Sequence, residues 1–115
     1  MNYLDGFVAA VPVANKEAYL KHAADMAVVL KEYGALRSVE SWGDDVPEGT
    51  LTSFTMAVKR EEGEVVVFAW VEWPSKAVRD AGWEKAQVDP RMANAPMPFD
   101  GKRMIYGGFQ IIMAE

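Results

Sequence analysis

At 115 residues, half of them apolar and a quarter charged, the chain has the length and composition of one ordinary globular domain. It has no cysteine and a single histidine, His22, which excludes disulfides, thiolate metal sites, cysteine nucleophiles and a multi-histidine metal centre within one chain. The net charge is −5 and the best basic cluster is Lys102-Arg103, so nucleic acid is an unlikely partner, because neutralising phosphates takes clustered Lys and Arg.

No apolar run approaches the roughly 20 residues of a bilayer-spanning helix. Met1-Asn2-Tyr3-Leu4-Asp5 lacks the basic start and long apolar stretch of a signal peptide. The expectation is a cytoplasmic protein without membrane contact.

Tyr3 to Pro12 reads as a first strand, apolar on both faces apart from Asp5. Asn15 is placed as the N-cap of the first helix, with Glu17 in the first turn where a carboxylate meets the positive helix end. Tyr19, Ala23, Met26, Leu30 and Tyr33 recur at three- and four-residue spacing as one apolar stripe, and Gly34 supplies a stop. Ala35 to Trp42 is a second, more polar strand, which runs into the acidic turn-forming loop Gly43 to Gly49. Ser53 to Val58 fits a strand as well as a short helix capped by Ser53; the helical turn is preferred. Lys59 to Gly63 is a charged turn.

Val65 to Trp73 is the most apolar stretch, with no polar residue before Glu72. A strand with one wet face alternates; this one does not, so both its faces should be covered. Pro74 ends it, and Ser75 caps a second long helix from Lys76 to about Val88, which Asp89-Pro90 closes. Arg91 to Arg103 is a proline-rich loop of about a dozen residues, a length typical of binding loops and lids. Met104 to Met113 is the last strand, where Gly107-Gly108 suggests a bulge or a close backbone approach.

Strand, helix, strand, strand, helix, strand is the order of a ferredoxin-like βαββαβ sandwich, an α+β fold with the first and third strands central. Two helices cover one face of a four-stranded sheet. The other face would expose valine, phenylalanine and tryptophan, so the expectation is a homodimer through that sheet face, with sheets back to back or curled into a shared α+β barrel.

Several segments resemble a known family. Tyr3-Leu4-Asp5-Gly6-Phe7, Asn15-Lys16, Glu32-Tyr33-Gly34-Ala35 and Trp42-Gly43-Asp44-Asp45-Val46-Pro47 carry the likeness in the N-terminal half. Trp73-Pro74-Ser75-Lys76, Arg79-Asp80 and Met97-Pro98-Phe99-Asp100-Gly101-Lys102-Arg103-Met104 carry it in the rest. Over essentially the whole chain these resemble the domain-of-unknown-function family 1428, the YbaA-like bacterial proteins. The resemblance implies a dimeric α+β barrel, in a superfamily that includes small cofactor-free monooxygenases, isomerase-like enzymes and stress proteins. It implies no established activity and no catalytic residue. Some members carry a label tying them to signal recognition particle RNA, which the acidic balance here does not support.

Candidate chemistry rests on charges in apolar surroundings. Glu40 and Glu72 lie on strands whose neighbours should be buried, and His22 with Asp25 at i+3 is either an oriented general base or part of a solvated helix edge; these are the catalytic candidates. Arg37 shares the strand setting, and the blander and commoner role for all three strand charges is a structural ion pair across strands or across the dimer. Asp44 and Asp45, after Trp42-Gly43, are either ligand-binding carboxylates or an Asx-type turn. Asp100, Lys102 and Arg103 sit in the lid candidate Met97 to Arg103, where Asp100-Gly101 makes a tight turn and the two cations would receive a carboxylate or phosphate; equally, this loop crosses the sheet end and locks the partner subunit. Trp42, Trp70, Trp73 and Trp83, with Phe7, Phe68 and Tyr106, are core, interface or ligand lining, the first two being the commoner roles. No metal site and no cofactor are assigned. The function expected is binding of a small organic molecule in a cleft between sheet and helices, with conversion needing no tightly bound cofactor. The alternative is a non-catalytic dimeric module whose acidic loops serve a protein partner.

Overall fold

The structure is a computed structural model that describes residues 2–115. Strand β1 (Tyr3–Pro12) lies between β3 (Glu64–Trp73) and β4 (Ile105–Gln110), and β2 (Arg37–Trp42) flanks β3 on its far side. The result is an α+β fold on an antiparallel sheet of order β2-β3-β1-β4. The two most apolar strands are central, paired from Tyr3↔Trp73 to Pro12↔Glu64.

Helices α1 (Lys16–Glu32) and α3 (Lys76–Ala86) pack on one sheet face. Ser75 caps α3 as expected, its hydroxyl accepting from the Val78 amide at 3.2 Å. Asn15 differs: it stands at the N-cap position of α1 but makes no capping bond. Its Nδ2 instead donates to the Pro98 carbonyl at 2.9 Å, tying the proline-rich segment to the start of the helix. Gly34, at φ 115°, ends α1 in the left-handed region that costs glycine least. Beneath the helices Val29, Leu30, Val71, Trp73 and Ala86 form one buried cluster. Gly82 lets α3 close on it, since a Cβ there would lie 2.6 Å from the Trp73 ring and 2.9 Å from the Tyr33 carbonyl oxygen.

The opposite face carries the alternate residues, among them Val8, Ala10, Val66, Phe68, Trp70 and Glu72. The helical turn preferred for Ser53 to Val58 is present as α2 (Phe54–Ala57), with the Ser53 hydroxyl accepting from the Met56 amide at 3.1 Å. It folds onto one end of this face: Val58 is fully buried against Val8, Ala10 and Val66, and Phe54 meets Phe68 edge-on at 5.8 Å. The expectation that this face has no cover within the chain is therefore corrected at that end. The remainder is open, with Phe68, Ile105 and Phe109 exposed by 43, 45 and 57%.

The second long helix ends at Ala86, short of Val88. The segment expected to be loop contains α4 (Pro90–Ala93) and a 3-10 turn at Gly101–Arg103. Pro90 both stops the preceding helix and starts the next, because its preset φ and missing N–H suit a first helical turn. β4 stops at Gln110 rather than Met113, since its ladder with β1 ends at the Tyr3↔Gln110 pair. Among the described residues no helix is long and apolar enough to cross a membrane.

Candidate functional site

Small side chains at the centre of the sheet leave room under the helices. Ala9 of β1 and Ala69 of β3 face Ala23 and Ala27 of α1 across a cavity of about 600 Å³ that opens to solvent. Phe7, Met26, Leu30 and Val67 extend its apolar wall, and Met97, Phe99 and Met104 border it from the proline-rich segment.

One polar end is built on β2 and α1. Glu40 stands opposite Ala69 in the ladder and enters the cavity wall. Tyr19 Oη donates to Glu40 Oε1 at 2.5 Å, within the range of charge-assisted O–H···O bonds. Glu40 is solvent-accessible as a whole residue because it borders the cleft, yet its carboxyl is packed among protein atoms. Burial pushes its pKa up, and the Tyr19 bond only partly opposes this. The Tyr19 hydroxyl is raised as well, by burial and by the carboxylate it bonds. His22, one helical turn on, lines the same cavity, and burial lowers its pKa. Of the two readings of His22 and Asp25, the hydrogen-bonded dyad is absent: Lys21 Nζ bonds Asp25 at 2.8 Å, and His22 has no hydrogen-bond partner among the described residues. A long lysine at i,i+4 spacing reaches the acid more readily than an imidazole does.

The other polar end escaped the sequence analysis. Asp5 is 4% exposed and faces the cavity from β1. Its Oδ2 accepts from Trp73 Nε1 at 2.9 Å and Trp83 Nε1 at 2.7 Å, and its Oδ1 from Arg79 Nη2 at 2.7 Å and Nε at 3.0 Å. The Asp5 bonds hold the Arg79 pKa above its ordinary value. The guanidinium also lies over the Tyr3 ring at 5.2 Å. Gly108, paired with Asp5, provides the close approach expected of the Gly107-Gly108 pair: a Cβ there would sit 2.5 Å from Tyr3 Oη and 2.8 Å from Arg79 Nη2. Phe7 bridges the two ends, edge-on to Trp83 and stacked on Tyr106, each at 6.4 Å between ring centroids. A lone acid inside an apolar strand was the available signal. Its partners are 68 to 78 positions away, so no local pattern shows them.

The remaining candidates fall elsewhere. Glu72 and Arg37 are on the opposite sheet face, ion-paired at 2.9 Å, with Trp70 Nε1 donating to Glu72 at 3.0 Å. They lie outside this cleft, because strand alternation turns them away from the face of Glu40, and their pairing is the cross-strand ion pair expected as the blander role of these charges. Trp42 shares the helix side but lies outside the cavity wall, with Lys16 Nζ 5.1 Å from its ring centroid. Asp44 and Asp45 are exposed and make no side-chain hydrogen bond among the described residues. Arg103 as an anion receiver is corrected too: it is committed to Glu64 at 2.7 Å through both Nη atoms and to Asp100 at 3.1 Å. This pairing lowers the pKa of Glu64 and of Asp100. Asp100 also accepts from the Lys102 amide at 3.0 Å, while the Lys102 side chain is exposed. The loop from Met97 therefore borders the cleft through Met97 and Phe99, and its charged end locks onto β3. No group of three or more acidic or histidine side chains able to hold a metal occurs among the described residues.

Comparison with known proteins places this geometry in a family. The chain is 59% identical over 117 residues, covering all of both chains, to "Uncharacterized protein YbaA" of Escherichia coli (strain K12). The same identity and coverage hold for the proteins of that name from Escherichia coli O157:H7 and Shigella flexneri. Residues 2–101 match the family described as "Protein of unknown function (DUF1428)", and the chain belongs to that family.

Proposed function

We propose that the protein binds a small organic molecule in the cleft between the sheet and helices α1 and α3. Turnover there is by proton transfer at Glu40, without a tightly bound cofactor. The observation that carries this reading is the cavity itself: about 600 Å³, walled mainly by apolar side chains, and open to solvent. Ligand sites are typically concave, apolar and ~300–1,000 Å³ in volume, with a few placed polar groups. Glu40 suits a general base, because burial raises its pKa and a carboxylate of higher pKa is a better proton acceptor. The rival role, a non-catalytic protein-interaction module, expects a filled interior, and a cavity of this size speaks against it.

The sheet order and the two helices on one face support a ferredoxin-like sandwich. A two-fold dimer through the opposite face is the state that covers Phe68, Ile105 and Phe109. The setting we propose for it is the cytoplasm.

Ala27→Trp tests the cleft, because Ala27 lines it from α1 and the indole would fill it. Small aromatic molecules should raise the thermal midpoint of the native protein and leave that of Ala27→Trp unmoved. Absence of stabilisation across a broad metabolite set, or an equal response in the filled variant, sinks the proposal.

A further inference from the structure

We infer that the molecule this cleft accepts carries a positive charge: an apolar or aromatic body with an ammonium group, seated against the Glu40 carboxylate. The inference rests on the cleft being a binding site and adds the chemistry of its ligand.

Four carboxylates reach the cavity wall, from Asp5, Glu40, Asp80 and Glu84, against one guanidinium, that of Arg79. Arg79 is already committed, to Asp5 at 2.7 Å and to Asp80 at 3.0 Å, and Asp80 also takes Lys76 Nζ at 2.8 Å. Those two acids and two bases neutralise one another. Glu40 and Glu84 remain, and neither has an ion-pair partner among the described residues. His22, the other basic group on the wall, is pushed toward its neutral form by burial. An anionic ligand would meet uncompensated carboxylates and no free cation, in a cleft whose apolar walls screen poorly. A cation would meet the reverse.

Glu40 is the better seat of the two. Its Oε1 accepts from Tyr19 while Oε2 has no protein partner among the described residues, so the carboxylate is oriented and still able to accept. Tyr19 and Phe99, 5.6 Å apart between ring centroids, add ring faces that favour an ammonium group. The overall charge of −5 draws cations in the same sense.

Three probes of one shape separate this inference from the one beneath it: phenethylamine, phenethyl alcohol and hydrocinnamate, titrated into the full-length protein and followed by amide chemical shifts. The amine should bind about tenfold tighter than the alcohol, and the carboxylate weaker than either. Glu40→Gln keeps an acceptor for Tyr19 but removes the charge; it should bring the affinity of the amine close to that of the alcohol. Added salt should weaken the amine and spare the alcohol in the native protein, an outcome that needs no variant to fold. Hydrocinnamate binding as tightly as the amine, or an amine preference that survives both Glu40→Gln and added salt, overturns the inference while leaving the cleft intact. Failure of all three probes overturns the cleft as well.

Discussion

The two faces of the sheet are made from alternate residues of the same four strands, yet their charged groups obey different physics. On the helix side Asp5 is nearly sealed and holds four donors from Arg79, Trp73 and Trp83. On the other side Glu72 meets an Arg37 side chain that is 62% exposed. Both are acid–arginine pairs on neighbouring elements. Burial together with four satisfied donors makes the first costly to break, while the second is a surface contact, since an ion pair in water gains little over its separate hydrated charges. The faces also differ in what they leave open: a walled cavity on one, an aromatic and aliphatic surface on the other.

The sharpest way to break this contrast is to remove each acid in turn. Asp5→Ala strands two indole N–H groups and leaves Arg79 with Asp80 as its remaining ion-pair partner. It should cost about 3 kcal/mol, the lower end for a broken buried pair because Arg79 retains some water access. Glu72→Ala should cost less than about 1 kcal/mol. Urea midpoints of both variants measure the ratio, and equal losses would erase the distinction between the faces.

The open surface comes next. The native protein should run as a dimer in light scattering at micromolar concentration. Phe68→Lys with Phe109→Lys should weaken association about a hundredfold or more, roughly 2.7 kcal/mol, by placing charge where two sheets would meet. A native protein that stays monomeric means that this surface has another use.

Neighbouring glycines give a finer test. Gly108→Ala must displace Tyr3 or Arg79 and should cost about 1–2 kcal/mol, whereas Gly107→Ala meets nothing closer than 3.5 Å and should be near neutral. Similar denaturation midpoints for the two would show that the Arg79 cluster yields easily.

The smallest effect concerns Glu40. Its folded pKa is raised above the ordinary value of 4.5, so its contribution to stability is fully present below 4.5 and is lost as pH rises through the folded value. Glu40→Gln carries no such loss. Its stability relative to native should therefore improve from acid toward neutral pH, as read from urea midpoints across that range. A constant difference would mean that the carboxyl is as well solvated folded as unfolded.

Much of the architecture was legible because it rests on local patterns. The apolar run Val65 to Trp73 predicted a central strand, which β3 is, and Ser75 marked its following helix. Glu40 was singled out as a charge on a strand expected to be buried; β2 is instead an edge strand with no buried residue, and the place of Glu40 on the cavity wall follows from register with Ala69. Glu72 carried the same signal and has the ion pair weighed for it, with Arg37, but sequence does not say which face of an irregularly patterned strand meets the helices. Asn15 and Arg103 were misread because their partners, Pro98 and Glu64, are 83 and 39 positions away.

By itself the sequence determined the four strands, the two long helices, their order and the absence of cysteine chemistry, since propensity, periodicity and caps act within a few residues. Only the tertiary structure decided that Ala9, Ala69, Ala23 and Ala27 converge on one void. It alone brought Asp5 to Arg79 and two tryptophans, and set Glu40 and Glu72 on opposite faces. Those outcomes depend on strand register and helix placement, which are settled by contacts between residues far apart in the chain.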